Sequence, residues 1–217
     1  MRISLSATML LTFLSLLLNA CNAMAQAQQD PPVWYWLGTL KSTSPVKAPH
    51  PANYFLTLLD DRAVVRADCN RGTGSYELKD SEISFKPMAL TRKLCLQGSR
   101  GGYYAAQLLS AQKLRERDGT LLIDLKEGEG TMFFDQNPRA RLEHFHCPGG
   151  AMWSVIFNGD QAQIWFGGEY YKLDGQKTAS GTSYTDGKTT FETKGALGSL
   201  RKGDHVLARD CPRIVDE

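Results

Sequence analysis

The sequence predicts a mainly β protein of two small domains, and three observations carry that expectation. Short apolar runs recur along the chain with Gly, Asp and Asn between them, which is the spacing of strands and turns. Only residues 103–111, YYAAQLLSA, are long and aliphatic enough for a helix. Beyond residue 60 the cysteines fall into two sets, Cys69 with Cys95 and Cys147 with Cys211, placed to staple one half of the chain each.

Residues 1–25 stand apart from the fold. Arg2 precedes the apolar stretch MLLTFLSLLL and small residues close it, the layout of a secretory signal peptide. The run is too short to cross a bilayer and remain there. Two processing outcomes are open at its end. Ala23-Met24-Ala25 offers an A-x-A cleavage site, while Leu18-Asn19-Ala20-Cys21 resembles a bacterial lipobox with an untidy asparagine. Five cysteines leave one over after two pairs, and lipidation of Cys21 accounts for it. Both outcomes place the protein in the periplasm, soluble or anchored to the outer membrane as a lipoprotein, where disulfides are permitted.

With Arg2 set aside, 24 Lys+Arg face 23 Asp+Glu. So balanced a chain lacks the basic face that nucleic acid requires.

In the N-terminal half, residues 54–59 and 63–67 flank Asp60-Asp61-Arg62 as a hairpin, residues 83–85 form a further strand, and residues 121–125 and 131–134 complete the sheet. Trp34, Tyr35 and Trp36 read as core packing of the first strand. Arg71-Gly72-Thr73-Gly74-Ser75 matches neither the P-loop nor the dinucleotide pattern and reads as a tight turn after Cys69. The Cys69–Cys95 pair closes a loop worth about 3 to 3.5 kcal/mol on the chain-entropy account. Around residues 134–141 the apolar pattern lapses and Pro138 appears, so a linker is placed at 136–143 between domains at 33–135 and 144–213.

The C-terminal half alternates more strictly. Trp153, Val155 and Phe157 share a face, Asn158-Gly159-Asp160 turns the chain, and Ala162, Ile164 and Phe166 share the next face. Gly167-Gly168 leads into residues 169–173, Asp186-Gly187 joins two more runs, and residues 205–209 close a small antiparallel barrel or sandwich. A fold this small benefits from the Cys147–Cys211 staple, worth about 4 kcal/mol.

Two resemblances follow from particular motifs. Trp36-Leu37, DCNRGTGSY from Asp68 to Tyr76, and PMALTRKLC from Pro87 to Cys95 resemble the META domain, or HslJ-like, family. Asp68 departs from that family's usual glycine before Cys69. The resemblance implies a compact α+β domain of exported bacterial proteins tied to stress, with no settled biochemical activity.

Cys147-Pro148-Gly149-Gly150, Ser180-Gly181 with Tyr184 beyond it, Phe191 followed by Thr193-Lys194-Gly195, and Cys211 resemble the MliC/PliC family of bacterial inhibitors of C-type lysozyme. Glu192 stands where that family often has tryptophan, and His144-Phe145-His146 replaces its usual tyrosine. The resemblance implies C-type lysozyme as partner, with Ser180 and Lys194 entering its cleft and Gly181, Tyr184, Thr193 and Gly195 completing the lysozyme-binding set.

The chemistry of such a pair is legible. A retaining glycosidase of the lysozyme type sets two carboxyl groups about 5 Å apart, one protonated and one ionised. An ammonium group suits the ionised member, and a hydroxyl, able to donate or accept, suits the protonated one. Geometry adds a condition. A two-residue loop at Asp186-Gly187 sets Ser180 opposite Thr193 and turns Lys194 to the other face. A three-residue loop at 186–188, or a bulge at Gly181, sets the two together, and one of these irregularities is expected.

Other constellations carry less. His144, His146 and Cys147 lie close together, but no second ligand cluster is near and Cys147 is claimed by the disulfide, so neither metal nor cofactor is expected. No nucleophile with a base and no poised carboxyl pair is fixed by the sequence, so the chain is not expected to be an enzyme. An envelope stress or assembly factor acting through the META-like half is the alternative.

Overall fold

The structure, a computed structural model, describes residues 30–41, 44–177 and 182–214. The expected leader and Cys21 lie outside the described residues. No helix among the described residues is long and apolar enough to cross a membrane.

The N-terminal half is built from Trp34–Leu40 (β1), Val46–Lys47 (β2), Tyr54–Leu58 (β3), Arg62–Ala67 (β4), Asn70–Lys79 (β5), Glu82–Phe85 (β6), Ala89–Leu90 (β7), Gly101–Leu109 (α1), Ala111–Arg117 (β8), Thr120–Leu125 (β9) and Thr131–Asp135 (β10). The strands run β10-β9-β8-β6-β5-β4-β3-β1 in sheet order, and β10 pairs again with β1, so the sheet closes on itself. Trp34, Trp36, Ala63, Val65, Leu121, Ile123, Met132 and Phe134 point inward. Helix α1 buries Tyr104 and Leu108 among them, the Tyr104 ring lying 5.3 Å from Trp36 and 5.9 Å from Tyr54.

Two local expectations are corrected here. The helix ends at Leu109, not 111: the Ser110 N–H closes its last turn on Gln107 O, and Ala111 already belongs to β8. Arg71–Ser75 is no turn but lies within β5; the turn is made at Asp68, whose φ of 62° is the left-handed conformation that glycine adopts at least cost. The glycines of β5 have a different reason. A Cβ on Gly72 would stand 2.1 Å from Ala89 O, so the glycine lets β7 cross against the strand.

The C-terminal half comprises Arg141–His146 (β11), Met152–Asn158 (β12), Gln161–Phe166 (β13), Glu169–Lys177 (β14), Thr182–Thr185 (β15), Thr189–Lys194 (β16), Leu197–Lys202 (β17) and His205–Pro212 (β18). Each strand pairs antiparallel with the next. The first and last meet through a bridge between Phe145 and Arg213 and through the Ile214 N–H to His144 O at 2.8 Å, which makes the sheet barrel-like. Trp153, Val155, Phe157, Ala162, Ile164, Leu173, Phe191 and Leu200 fill it. The stretch 136–143 turns at Asn137–Ala140 and then supplies the first three residues of β11. Both expected disulfides are formed, Cys69–Cys95 in the first half and Cys147–Cys211 in the second.

The two sheets touch along a seam. Leu37, Leu122 and Phe133 of the first pack against Ala140, Leu142 and Ile156. The runs TLLIDL and TMFFD are apolar at successive positions because one face fills the first core and the other fills this seam. Polar contacts flank it: the Thr120 hydroxyl donates to Gln163 Oε1, Gln163 Nε2 to Asp118 O at 3.1 Å, and Asn137 Nδ2 to Asn158 Oδ1 at 2.7 Å.

His144 is buried in this seam, its ring 6.0 Å from Phe133 and its Nδ1 2.9 Å from Ser154 Oγ. Burial, with the Lys47 charge adding to it, pushes His144 down to about 3. The unfolded chain takes up a proton there from about pH 6.5 downward while the folded chain resists until far lower, so stability falls across that window by up to about 1.4 kcal/mol per pH unit. Asp135, beside the seam, acts in the opposite sense. Burial raises its carboxyl above the ordinary value against hydrogen bonds from Asn137, Thr120 and Asn158, so its protonation favours the folded chain. Urea midpoints measured from about pH 7 down to about pH 4 should therefore decline, and His144→Leu should flatten the decline. An equally steep profile in that variant removes His144 from the account.

Candidate functional site

Of the residues singled out in the C-terminal half, Thr193, Lys194 and Gly195 lie together at the end of β16. In the β15–β16 hairpin Thr182 faces Thr193, Ser183 faces Glu192, Tyr184 faces Phe191 and Thr185 faces Thr190. That register matches neither a two-residue loop on Asp186-Gly187 nor a three-residue loop on 186–188. The turn is centred one residue later, on Gly187-Lys188, with the Asp186 N–H directed to Thr189 O at 3.3 Å.

The cause is the Asp186 side chain. Its Oδ1 accepts the N–H of Lys188 at 2.8 Å and of Thr189 at 2.6 Å, and Thr185 Oγ1 accepts the Gly187 N–H at 3.0 Å. Partial burial pushes the Asp186 carboxyl up, but these backbone donors outweigh it and hold it below the ordinary carboxylate range. The three-residue loop is thus corrected. The alternative bulge at Gly181, and Ser180 itself, lie outside the described residues.

Lys194 is exposed and ends β16 opposite Leu197, where Gly195 at φ 61° begins a two-residue turn with Ala196. Thr193, one residue earlier, is on the inner face with Thr182. The ladder of β14 and β15 reaches its last pair at Lys177 and Thr182, beside Thr193. Tyr184 is placed differently from the rest: its ring is buried and stacks on Phe191 at 6.0 Å with 21° between planes, a core position. Burial raises its phenol.

A cavity of about 180 Å³ opens here, bordered by Thr182, Tyr184, Thr193, Gly195, Arg141 and Arg213. Its floor is charged. Glu143, with its side chain only 14% exposed, lies 3.7 Å from the Arg213 guanidinium, 3.9 Å from Arg141 and 3.6 Å from Lys47. Arg141 also stands 5.1 Å over the Phe157 ring. Neither Arg141, which remains exposed, nor the largely buried Glu143 is among the residues singled out from the sequence. The available signal was parity: both lie on the face of β11 that carries Phe145, which points into the barrel.

His144 and His146 share the other face of β11, yet His144 is buried and His146 exposed, so they present no joint surface. Among the described residues no three His, Cys, Asp or Glu side chains are grouped to hold a metal ion.

Comparison with known proteins separates the two halves. Residues 33–138 match the META domain family, and residues 145–208 match the family described as membrane-bound lysozyme-inhibitor of c-type lysozyme. An NMR structure of a protein from Burkholderia xenovorans is 24% identical, covers 51% of this chain and 84% of its own, and superposes with a TM-score of 0.43. No curated protein matches the chain.

Proposed function

We propose that this chain, a META domain followed by an MliC domain, is an exported bacterial inhibitor of C-type lysozyme that acts through the end of its C-terminal barrel. The observation that carries the reading is the family match over residues 145–208. The geometry of Lys194 supports it: its backbone is fixed as the last residue of a paired strand, before a two-residue turn on a disulfide-closed barrel, and its ammonium is exposed to a partner.

In this reading Lys194 meets the ionised carboxylate of the enzyme's cleft with a charge-assisted hydrogen bond, and Ser180 supplies the hydroxyl for the protonated one. Ser180 lies outside the described residues, so its partnership with Lys194 rests on the family resemblance rather than on a shared hairpin face. Thr193 and Gly195 shape the approach, and Tyr184 holds β15 against the core. The chain performs no catalysis of its own. It works in the periplasm, free or held to the outer membrane through Cys21. Because its charges nearly cancel, encounter with a basic enzyme gains little from long-range steering, and affinity rests on fit at short range.

The test is a lysozyme activity assay titrated with the chain and with its Lys194→Ala and Ser180→Ala variants. The parent should inhibit, and each variant should weaken inhibition by about 2 to 5 kcal/mol, which is roughly thirtyfold or more. Parent protein without inhibition overturns the function. Inhibition equal in all three retains it and discards these two residues.

A further inference from the structure

The loop of residues 91–100 in the META half displays two leucines with nothing over them: Leu94 is 101% exposed and Leu96 89% exposed. Such exposure is costly in water, and here it is imposed by a rigid frame. Asn70 Oδ1 accepts the Lys93 N–H at 2.7 Å and the Thr91 hydroxyl at 2.9 Å, while its Nδ2 donates to Lys93 O at 3.2 Å. The Cys69–Cys95 bond ties down the residue between the leucines. Beyond them Gly98, at φ 85°, allows the Ser99 N–H to reach Leu96 O at 3.2 Å, and the Arg100 N–H is fixed to the Tyr54 hydroxyl at 3.0 Å. The leucines cannot fold back onto the protein without breaking this frame.

Their neighbours are cationic. Arg92, Lys93 and Arg100 are exposed on the same loop, and exposed Arg71 lies beside Thr91 in the ladder. None of the four pairs with a carboxylate among the described residues. From Ile83 to Arg115 the chain contains six Lys and Arg and no Asp or Glu, in a protein that is otherwise close to balanced.

We propose that this loop docks on an anionic lipid bilayer, with Leu94 and Leu96 entering the boundary of the acyl chains and Arg92, Lys93 and Arg100 meeting the headgroups. Two features select lipid over a protein partner. The leucines protrude and are bare on every side, and acyl chains envelop such a projection without a shape-matched pocket. Cations rim the apolar tip on both sides, which matches the depth order of a bilayer, charge outside and hydrocarbon within. The inference is independent of the lysozyme reading and engages the opposite half of the chain.

The experiment places a reporter at the tip. The full chain and its Leu94→Trp variant are mixed with vesicles of phosphatidylglycerol and bromine-labelled phosphatidylcholine, and with labelled phosphatidylcholine alone. Trp34, Trp36 and Trp153 are buried and Trp165 is half-buried, so the parent reports the background of all four native indoles. The variant's additional emission should shift to the blue and be quenched on the anionic vesicles only. Leu94→Ser with Leu96→Ser should abolish the vesicle affinity that the loop supplies, and Arg92→Gln, Lys93→Gln and Arg100→Gln should each lower it about fivefold. Matching thermal midpoints confirm that the variants fold, and Leu96→Trp repeats the test if Leu94→Trp does not. An indole at the tip that stays unquenched while the protein sediments with vesicles overturns the proposal, since attachment then runs through another segment. A loop that crosslinks to a soluble protein without touching vesicles overturns it as well.

Discussion

Replacing Cys147 and Cys211 together by serine is expected to lower stability by about 4 kcal/mol and the thermal midpoint by about 10 °C. The bond spans 64 residues, so its loss restores a large loop entropy to the unfolded chain. Its position raises the stakes. Among the described residues seven strand pairs around the barrel carry ladders, whereas the junction of β11 with β18 has a single bridge, the Ile214 N–H contact, the Glu143–Arg213 ion pair and this disulfide. Cys211 is fully buried and Cys147 nearly so, which places the two new hydroxyls of the variant in apolar surroundings. Calorimetry on the oxidised parent and the double variant measures the difference. An unchanged midpoint would mean that the noncovalent junction closes the barrel unaided.

Phe191→Ala should cost a similar amount, about 3 to 5 kcal/mol. Phe191 is fully buried at the centre of an aromatic group, with ring centroids 5.5 Å from Trp153, 5.8 Å from Phe145, 6.0 Å from Tyr184 and 6.1 Å from Phe157. Truncation removes contacts with four rings and leaves a space they cannot all collapse into. Thr193 and Lys194 follow on the same strand, so the lysozyme inhibition proposed above should weaken along with stability. Phe191→Leu, which fills much of the volume, should recover most of both. Urea unfolding and the lysozyme assay read the two effects, and a cost below about 1 kcal/mol would show the ring to be peripheral.

Much of the β pattern was legible because a half-buried strand writes its faces into alternate residues. β13 was bounded to the residue by Asn158-Gly159-Asp160 and Gly167-Gly168. The pairing of the cysteines followed from their placement. Strands carrying glycine for a neighbour's sake were not legible: Gly72 in β5 makes room for the backbone of β7, and Gly198 in β17 stands against the Phe145 ring. A single sequence does not say what approaches a strand from outside it.

Of the candidate site, less can be compared, since Ser180 and Gly181 lie outside the described residues. Thr193, Lys194 and Gly195 came from the family resemblance and lie where a barrel end presents them. The turn did not follow from Asp-Gly as a dipeptide, because the Asp186 carboxylate captures two amides beyond the glycine and moves the turn with it. Glu143 was missed because charged residues on a strand usually face water, and here the barrel mouth draws it in while Arg141 stays exposed above it.

The seam between the sheets has a consequence for anyone who would transplant one of these barrels. Leu142 and Ile156 are greasy on the outside of the C-terminal barrel only because Leu37, Leu122 and Phe133 cover them. A stand-alone copy of that barrel needs hydrophilic replacements at both positions, and a sequence bearing them would advertise that its owner lives without the companion domain.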